Sequence, residues 1–213
     1  METRFKDPDT LIDEASAFVY TLFKEKLPDT ILYHTYGHTV EVAKEAARIG
    51  KKAGLDARDQ ALVQLAAWFH DTGFTETYED HEEASARIAT DYLEREGAVP
   101  EDAGAVAALI RSTHTGHDPK GLREEVLHDA DLAHLGKKKK FFEYADRLRK
   151  EWDLNRDVRY TDQEWAELQL DFLRGFRFRT KYARQRFEET RQRNLRKLRE
   201  QLAALLDRDK AVD

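Results

Sequence analysis

The eight histidines of this 213-residue chain all fall between positions 34 and 134, and the last 79 residues hold none. Free scatter seldom leaves such a gap, so a histidine-using site belongs in the first two-thirds of the chain. In order come His38, the adjacent pair His70–Asp71, and an acid of "DADLAHLG", either Asp129 or Asp131. Two imidazoles and two carboxylates make a mixed nitrogen and oxygen donor set. Such a set suits a borderline or harder divalent ion: Mn, Fe, Co, Ni, Zn or Mg. The stretch "LVQLAAWFHDTGF" shows why an ion is needed. Nearly everything from Leu62 to Phe69 is fit for burial, and an ionisable pair follows directly. Burying a carboxylate beside an imidazole is expensive unless something pairs with both, and a bound cation does so. The dipeptide alone is weak evidence, because it recurs as His128–Asp129. On its own it reads as a histidine at a helix C-terminus followed by an Asx-turn.

The elements that position these residues read as helices. A first helix is expected from about Asp9 to Lys26, capped by Asp9 or Thr10 and ended near Pro28. A loop through "ILYHTYGHTVEV" feeds a second helix running to about Ala53, with Val42, Ala46, Ile49 and Ala53 on one face and Gly54 as its stop. Asp56 or Asp59 starts the apolar helix that carries His70, with Gly73 ending it. Further helices are expected from His81 to about Glu96, from Pro100 through Thr113, and over "REEVLHDADLAHLG". From Lys137 two or three more follow, the last from about Phe178 to Leu206. No repeat or strand pair stands out, and the expected fold class is all-α, a single domain of residues 1–213. Its metal-site core is expected at about 31–136, with a helical extension at about 137–213. His38 and His81 sit at helix starts, His70 and His114 at helix ends, and packing in a bundle can bring such termini into one pocket.

Composition supports this reading. Gly and Pro total only 14, and charged residues make up 37% of the chain. There is no Cys, which excludes disulfides, thiolate ligands and a Cys nucleophile. The N-terminus "METRFKDPDTLIDE" has no apolar core of a signal peptide, and no run approaches the roughly 20 apolar residues of a membrane span. A cytoplasmic protein with no membrane partner is expected. The net charge of −6 hides an asymmetry, because Arg174 to Glu200 holds eleven Lys/Arg against three acids. Acids interleave with these cations and no base-reading motif accompanies them, which argues against nucleic acid as a partner. Leu195, Leu198, Leu202 and Leu205 form a seam that packs on the protein's own body, with a homodimer contact as the alternative.

Taken together, the order H…HD…D resembles the HD-domain superfamily of metal-dependent phosphohydrolases. "YHTYGHTVEV" is similar to the "YHNxxH" opening of a predicted metal-dependent phosphohydrolase subfamily and of the cyclic-nucleotide phosphodiesterases. "LAAWFHDTGF" resembles "AxWFHD", "HEEASARIA" resembles "NEExSA", and "HDADLAHLG" resembles "LDADLAxLG". "YADRLRKEW" is similar to "YxxxxRxEY", and "FRTKYARQRFEETRQRNL" to the closing helix that ends in "NL". These segments span roughly residues 31 to 195.

The resemblance implies His38, His70, Asp71 and Asp131 as metal ligands, with Asp129 behind them. It implies His34 as general acid toward the leaving group, although the Asn of the phosphodiesterase motif is Thr35 here. His81 replaces the Asn of "NEExSA", and His114 stands in "STHTGH". Other branches use a histidine in each region to hold a second ion, so His81 and His114, or His117 in place of His114, would complete a two-metal site with Asp71 as bridge. Arg149 occupies the matching position in "RxEY", which implies a substrate contact or a residue behind one; Lys138 and Lys139 are further candidates because a phosphate needs cations, and Glu82 is a candidate hydrogen-bond partner of a metal-bound water. The expected activity is hydrolysis of a phosphomonoester or phosphodiester, with a nucleotide as substrate, by metal-activated water. A di-iron oxygenase and a non-catalytic regulatory module are the alternatives.

Overall fold

The structure, a computed structural model, describes residues 7–210, with side chains through Arg208. Among the described residues there are nine α-helices and no strand, so the fold is all-α. The chain divides into two compact units, the first ending at Asp131 and the second beginning at Leu132.

The first unit holds α1 (Pro8–Lys26), α2 (Tyr36–Ala53), α3 (Ala57–Phe69), α4 (His81–Arg95), α5 (Pro100–Arg111) and α6 (Gly121–Asp131). Its centre is α3, whose Ala61, Leu62, Val63, Leu65, Ala66, Ala67 and Phe69 are buried around most of the helix circumference. A helix that is apolar on nearly all sides must be enclosed, and α1, α2, α4, α5 and α6 all pack on it. The metal-ligand candidates at its C-terminal end are therefore set on a rigid post.

Local chemistry explains the boundaries. Asp7, rather than Asp9 or Thr10, caps α1; its carboxylate accepts the Thr10 N–H at 3.2 Å and Pro8 follows in the first turn. Gly54 closes α2 in the left-handed region at φ 89°, as its sequence position implies. Gly73 does not end α3, which stops at Phe69; Gly73 belongs to a 3₁₀ turn at Thr72–Thr75. A Cβ there would lie 2.0 Å from the His81 carbonyl oxygen and 2.9 Å from the Ser85 nitrogen. Glycine lets this turn touch the start of α4, and the contact is fixed by the Gly73 N–H donating to Ser85 Oγ at 2.8 Å. The stretch expected as one helix over "REEVLHDADLAHLG" divides at Asp131, after which Leu132–Gly136 tightens to 3₁₀.

The second unit contains that 3₁₀ segment, α7 (Lys138–Asn155), α8 (Asp162–Gly175) and α9 (Lys181–Lys210). Thr161 and Glu164 form a capping box on α8. α9 starts at Lys181 instead of Phe178, because Phe178 is an anchor: its ring is buried and packs on Phe176 and Phe187. Thr180 Oγ1 then accepts the Ala183 N–H at 3.1 Å. α9 docks where Gly136 meets Phe187, a Cβ on Gly136 falling 2.3 Å from the Phe187 Cβ. Nearby, the buried Asn194 donates to the Leu135 carbonyl at 2.9 Å. Leu195 and Leu198 are buried, whereas Leu202 and Leu205 are half-buried. Among the described residues no helix is long and apolar enough to cross a membrane.

Candidate metal centre

His38 lies in the first turn of α2, His70 and Asp71 just beyond the end of α3, and Asp131 at the last residue of α6. Three helix ends thus deliver four side chains to one point. His38 Nε2 is 3.0 Å from Asp131 Oδ1 and 3.6 Å from Asp71 Oδ2. His70 Nε2 is 3.1 Å from Asp71 Oδ2 and 3.7 Å from Asp131 Oδ1. A tetrahedral ion with ligands at about 2.0–2.1 Å has donor–donor edges of about 3.3 Å, and an octahedral one about 2.9 Å. The observed edges surround the tetrahedral value and begin just above the octahedral one.

Two further observations fit an ion. His70 Nε2 and Asp71 Oδ2 are buried without a hydrogen-bond partner, which is costly for polar atoms unless another group engages them. On the far side of the ring, His70 Nδ1 donates to the Ala67 carbonyl at 2.8 Å, which orients Nε2 toward the cluster. The side chains of His38, His70 and Asp71 are almost wholly enclosed, whereas that of Asp131 is 21% exposed, so solvent reaches the cluster from its side.

The electrostatics express the same demand for positive charge. Burial alone would lower the His70 pKa, but the Asp71 and Asp131 carboxylates reverse this and hold it well above the ordinary histidine value. Burial would raise the Asp71 carboxyl, yet the His70, His34 and His38 imidazoles keep it well below the carboxylate range. Asp131 is also driven down against its burial, by His38 and His70. A proton on His70 compensates the two carboxylates when no ion is bound, and a divalent cation would replace it.

Asp71 also faces a second group. Its Oδ1 is 3.9 Å from His81 Nε2, while its Oδ2 faces His70 and His38. His81 stands in the first turn of α4, brought there by the Gly73 contact, and its Nδ1 is 3.5 Å from the buried Glu82 Oε2. Burial dominates its titration and lowers its pKa, although Asp71 and Glu82 pull the other way. His34 lies in the loop before α2. Its ring stacks on Phe74 at 4.2 Å between centroids, and Phe74 stacks on His81 at 3.9 Å. Tyr33 packs on His34 and His38 at 4.6 and 4.8 Å.

The other candidates are placed differently. His114 is exposed, and among the described residues no contact joins it to the cluster. His117 Nε2 is 2.8 Å from Glu124 Oε2, which also accepts the Lys120 N–H. Asp129 is fully buried beside His128, whose Nδ1 is 3.4 Å away. Within the second unit, Arg149 is held by Asp162 at 2.7 Å and the Tyr160 carbonyl at 2.6 Å, and Lys138 and Lys139 are exposed in the first turn of α7. Sequence reasoning missed Phe74 and Tyr33, whose only signal was an aromatic residue next to a candidate histidine or directly after Gly73.

The family described as "HD domain" matches residues 35–136, a stretch that includes His38, His70, Asp71 and Asp131. Those residues are similar to an HD domain. A solved structure described as a predicted HD superfamily hydrolase, from an uncultured Thermotogales bacterium, resembles this chain with a TM-score of 0.59. The likeness covers 91% of this chain and 92% of that one at 22% identity, and is one of fold. No curated protein matches the chain. His38, His70 and Asp71, which could together hold a metal ion, lie inside the matched stretch, with His34 one residue before it.

Proposed function

We propose that this HD-domain protein is a metal-dependent phosphohydrolase that cleaves a phosphomonoester or phosphodiester bond of a nucleotide. The observation that carries the reading is the group of donor atoms on His38, His70 and Asp71 that could together hold an ion, two of them buried and lacking a hydrogen bond, with Asp131 Oδ1 3.0 Å from His38 Nε2 and 3.7 Å from His70 Nε2. A divalent ion held there supplies Lewis acidity toward phosphoryl oxygens and lowers the pKa of a water molecule. The residues of the chain do the rest. His38 and His70 give neutral donors, while Asp71 and Asp131 hold the ion's charge in a site that excludes most water. His34, four residues before His38, would hold a proton for the departing oxygen. The stack on Phe74 keeps its ring from swinging away. The absence of Cys accords with direct attack by water.

A second reading rests on Asp71 Oδ1 facing His81 at 3.9 Å, because a carboxylate that presents its two oxygens to different histidines can bridge two ions. A dinuclear centre would also admit an iron-dependent oxygenase. Metal analysis, followed by a panel of phosphomonoesters, phosphodiesters and nucleotides with Mn, Co, Ni and Mg, separates the two. Hydrolysis that depends on added metal and is abolished in Asp71→Ala supports the first reading. Two irons per chain with oxygen-dependent turnover and no hydrolysis of any ester refutes it in favour of the second.

A further inference from the structure

The second unit contains a cavity of about 410 Å³ that the metal chemistry does not use. It lies wholly among α7, α8 and the C-terminal half of α9, and its size falls in the roughly 300–1,000 Å³ range of small-molecule sites. Phe141, Phe142, Trp165, Leu198 and Leu205 wall it, with Ala145, Ala166 and Ala204 leaving the space open. Phe141 and Trp165 are buried, so the apolar walls are fixed by the core of the unit rather than by mobile side chains.

One polar group faces the cavity from among its apolar walls. Gln169 lines the cavity and is only 7% exposed, yet among the described residues its side-chain amide has no hydrogen-bond partner. A primary amide offers one acceptor and two donors side by side, and here they open onto the cavity with no protein partner to compete with a ligand. A purely hydrocarbon occupant would not meet them. A planar ring with a donor and an acceptor on one edge would meet them while stacking on the aromatic walls.

The charged rim adds a second requirement. Asp162 is bound by Arg149 at 2.7 Å, and Asp146 by Lys150 at 2.7 Å. Arg149 spends two of its five N–H bonds on Asp162 and the Tyr160 carbonyl, which holds the guanidinium rigid at the rim. Arg208, at the other side, pairs with no acid among the described residues. The acids are neutralised and a cation is left over, so the mouth favours an anionic group.

We infer that this cavity is a binding site for a nucleoside monophosphate, the base lying against Phe142 and Trp165 with its edge on Gln169, and the phosphate at Arg208. The site belongs to the second unit alone and is independent of the metal cluster. Arg149, which the family resemblance offers as a substrate contact, shapes the rim of this second site.

The test uses full-length protein carrying Asp71→Ala, which removes the metal cluster as a competing site. Adenosine, guanosine, cytidine and uridine 5′-monophosphates are titrated by calorimetry and by tryptophan emission, with the matching nucleosides and indole-3-carboxylate as further arms. One of the nucleotides is expected to bind at one equivalent per chain and to quench Trp165. Gln169→Leu keeps the volume and removes the amide, and should weaken binding about tenfold. Ala204→Phe, at an exposed position on the cavity wall, should abolish binding with no change in melting temperature. Removing the phosphate should weaken binding, and Arg208→Ala should erase that difference. Absence of saturable binding by all four nucleotides, binding unchanged in both Gln169→Leu and Ala204→Phe, or binding of indole-3-carboxylate but of no nucleotide, overturns the inference.

Discussion

Gly73→Ala probes how the fold sets the second face of the candidate centre. The added Cβ would sit 2.0 Å from the His81 carbonyl oxygen, 2.8 Å from its carbon and 2.9 Å from the Ser85 nitrogen. All three are backbone atoms at the start of α4, so no side chain can swing aside. Relief needs the turn and the helix to separate by about 1 Å, given ordinary carbon–oxygen contacts of roughly 3 Å or more. Overpacking of this kind costs about 1–3 kcal/mol, and the Gly73 N–H bond to Ser85 Oγ is strained as well. For a chain of this size that corresponds to a fall in melting temperature of roughly 2–12 °C. Gly104→Ala supplies the opposite sign, since nothing lies within 4 Å of its added Cβ in α5. It should stabilise by about 0.5–1 kcal/mol through helix propensity. Calorimetric melting of both variants decides the matter. A Gly73→Ala protein as stable as the parent, with Gly104→Ala the less stable of the two, would refute the reasoning.

Other expectations concern the cluster and the second unit. The His70 pKa is raised, so in the metal-free protein its contribution to stability is full below about pH 6.5 and lost as pH rises through the folded value. Asp71 and Asp131 are depressed, so theirs is present above about pH 4 and lost only as acid reaches their low folded values. Metal binding must displace the His70 proton, so affinity should fall by up to about tenfold per pH unit below that pKa. Melting curves with and without Mn or Co across pH 6–9 should therefore diverge as pH rises, and parallel curves would contradict the exchange. Phe74→Leu should cut kcat by tenfold or more with little change in KM or in metal content, because only the orientation of His34 and His81 is lost; an unchanged kcat would show that the stack positions nothing. Asn194→Leu leaves the buried Leu135 carbonyl unpaired and should cost about 1–3 kcal/mol in urea unfolding.

Much of the fold was legible in the sequence because its punctuation is chemical. Gly54, Pro100 and the apolar run of α3 mark their elements by backbone and burial rules that act locally. Where local rules compete, the sequence is ambiguous. Gly73 reads as a helix stop, and only the packing of α4 reveals a close approach. Asp129 and Asp131 are two residues apart and equally acidic. The structure turns Asp129 toward His128 and Asp131 toward His38, a choice set by the rotation of α6. His114 and His117 fit the same spacing argument, but one is exposed and the other pairs with Glu124. The ring stack of His34, Phe74 and His81 joins three separate segments, and no sequence period encodes it.

The central claim is that His38, His70, Asp71 and Asp131 hold a divalent ion. Quantitative metal analysis of purified protein beside Asp71→Ala tests it most directly. The account predicts at least one divalent ion per chain in the parent and none in the variant, with the variant still folded by circular dichroism. A folded Asp71→Ala protein that retains the parent's metal content would contradict it.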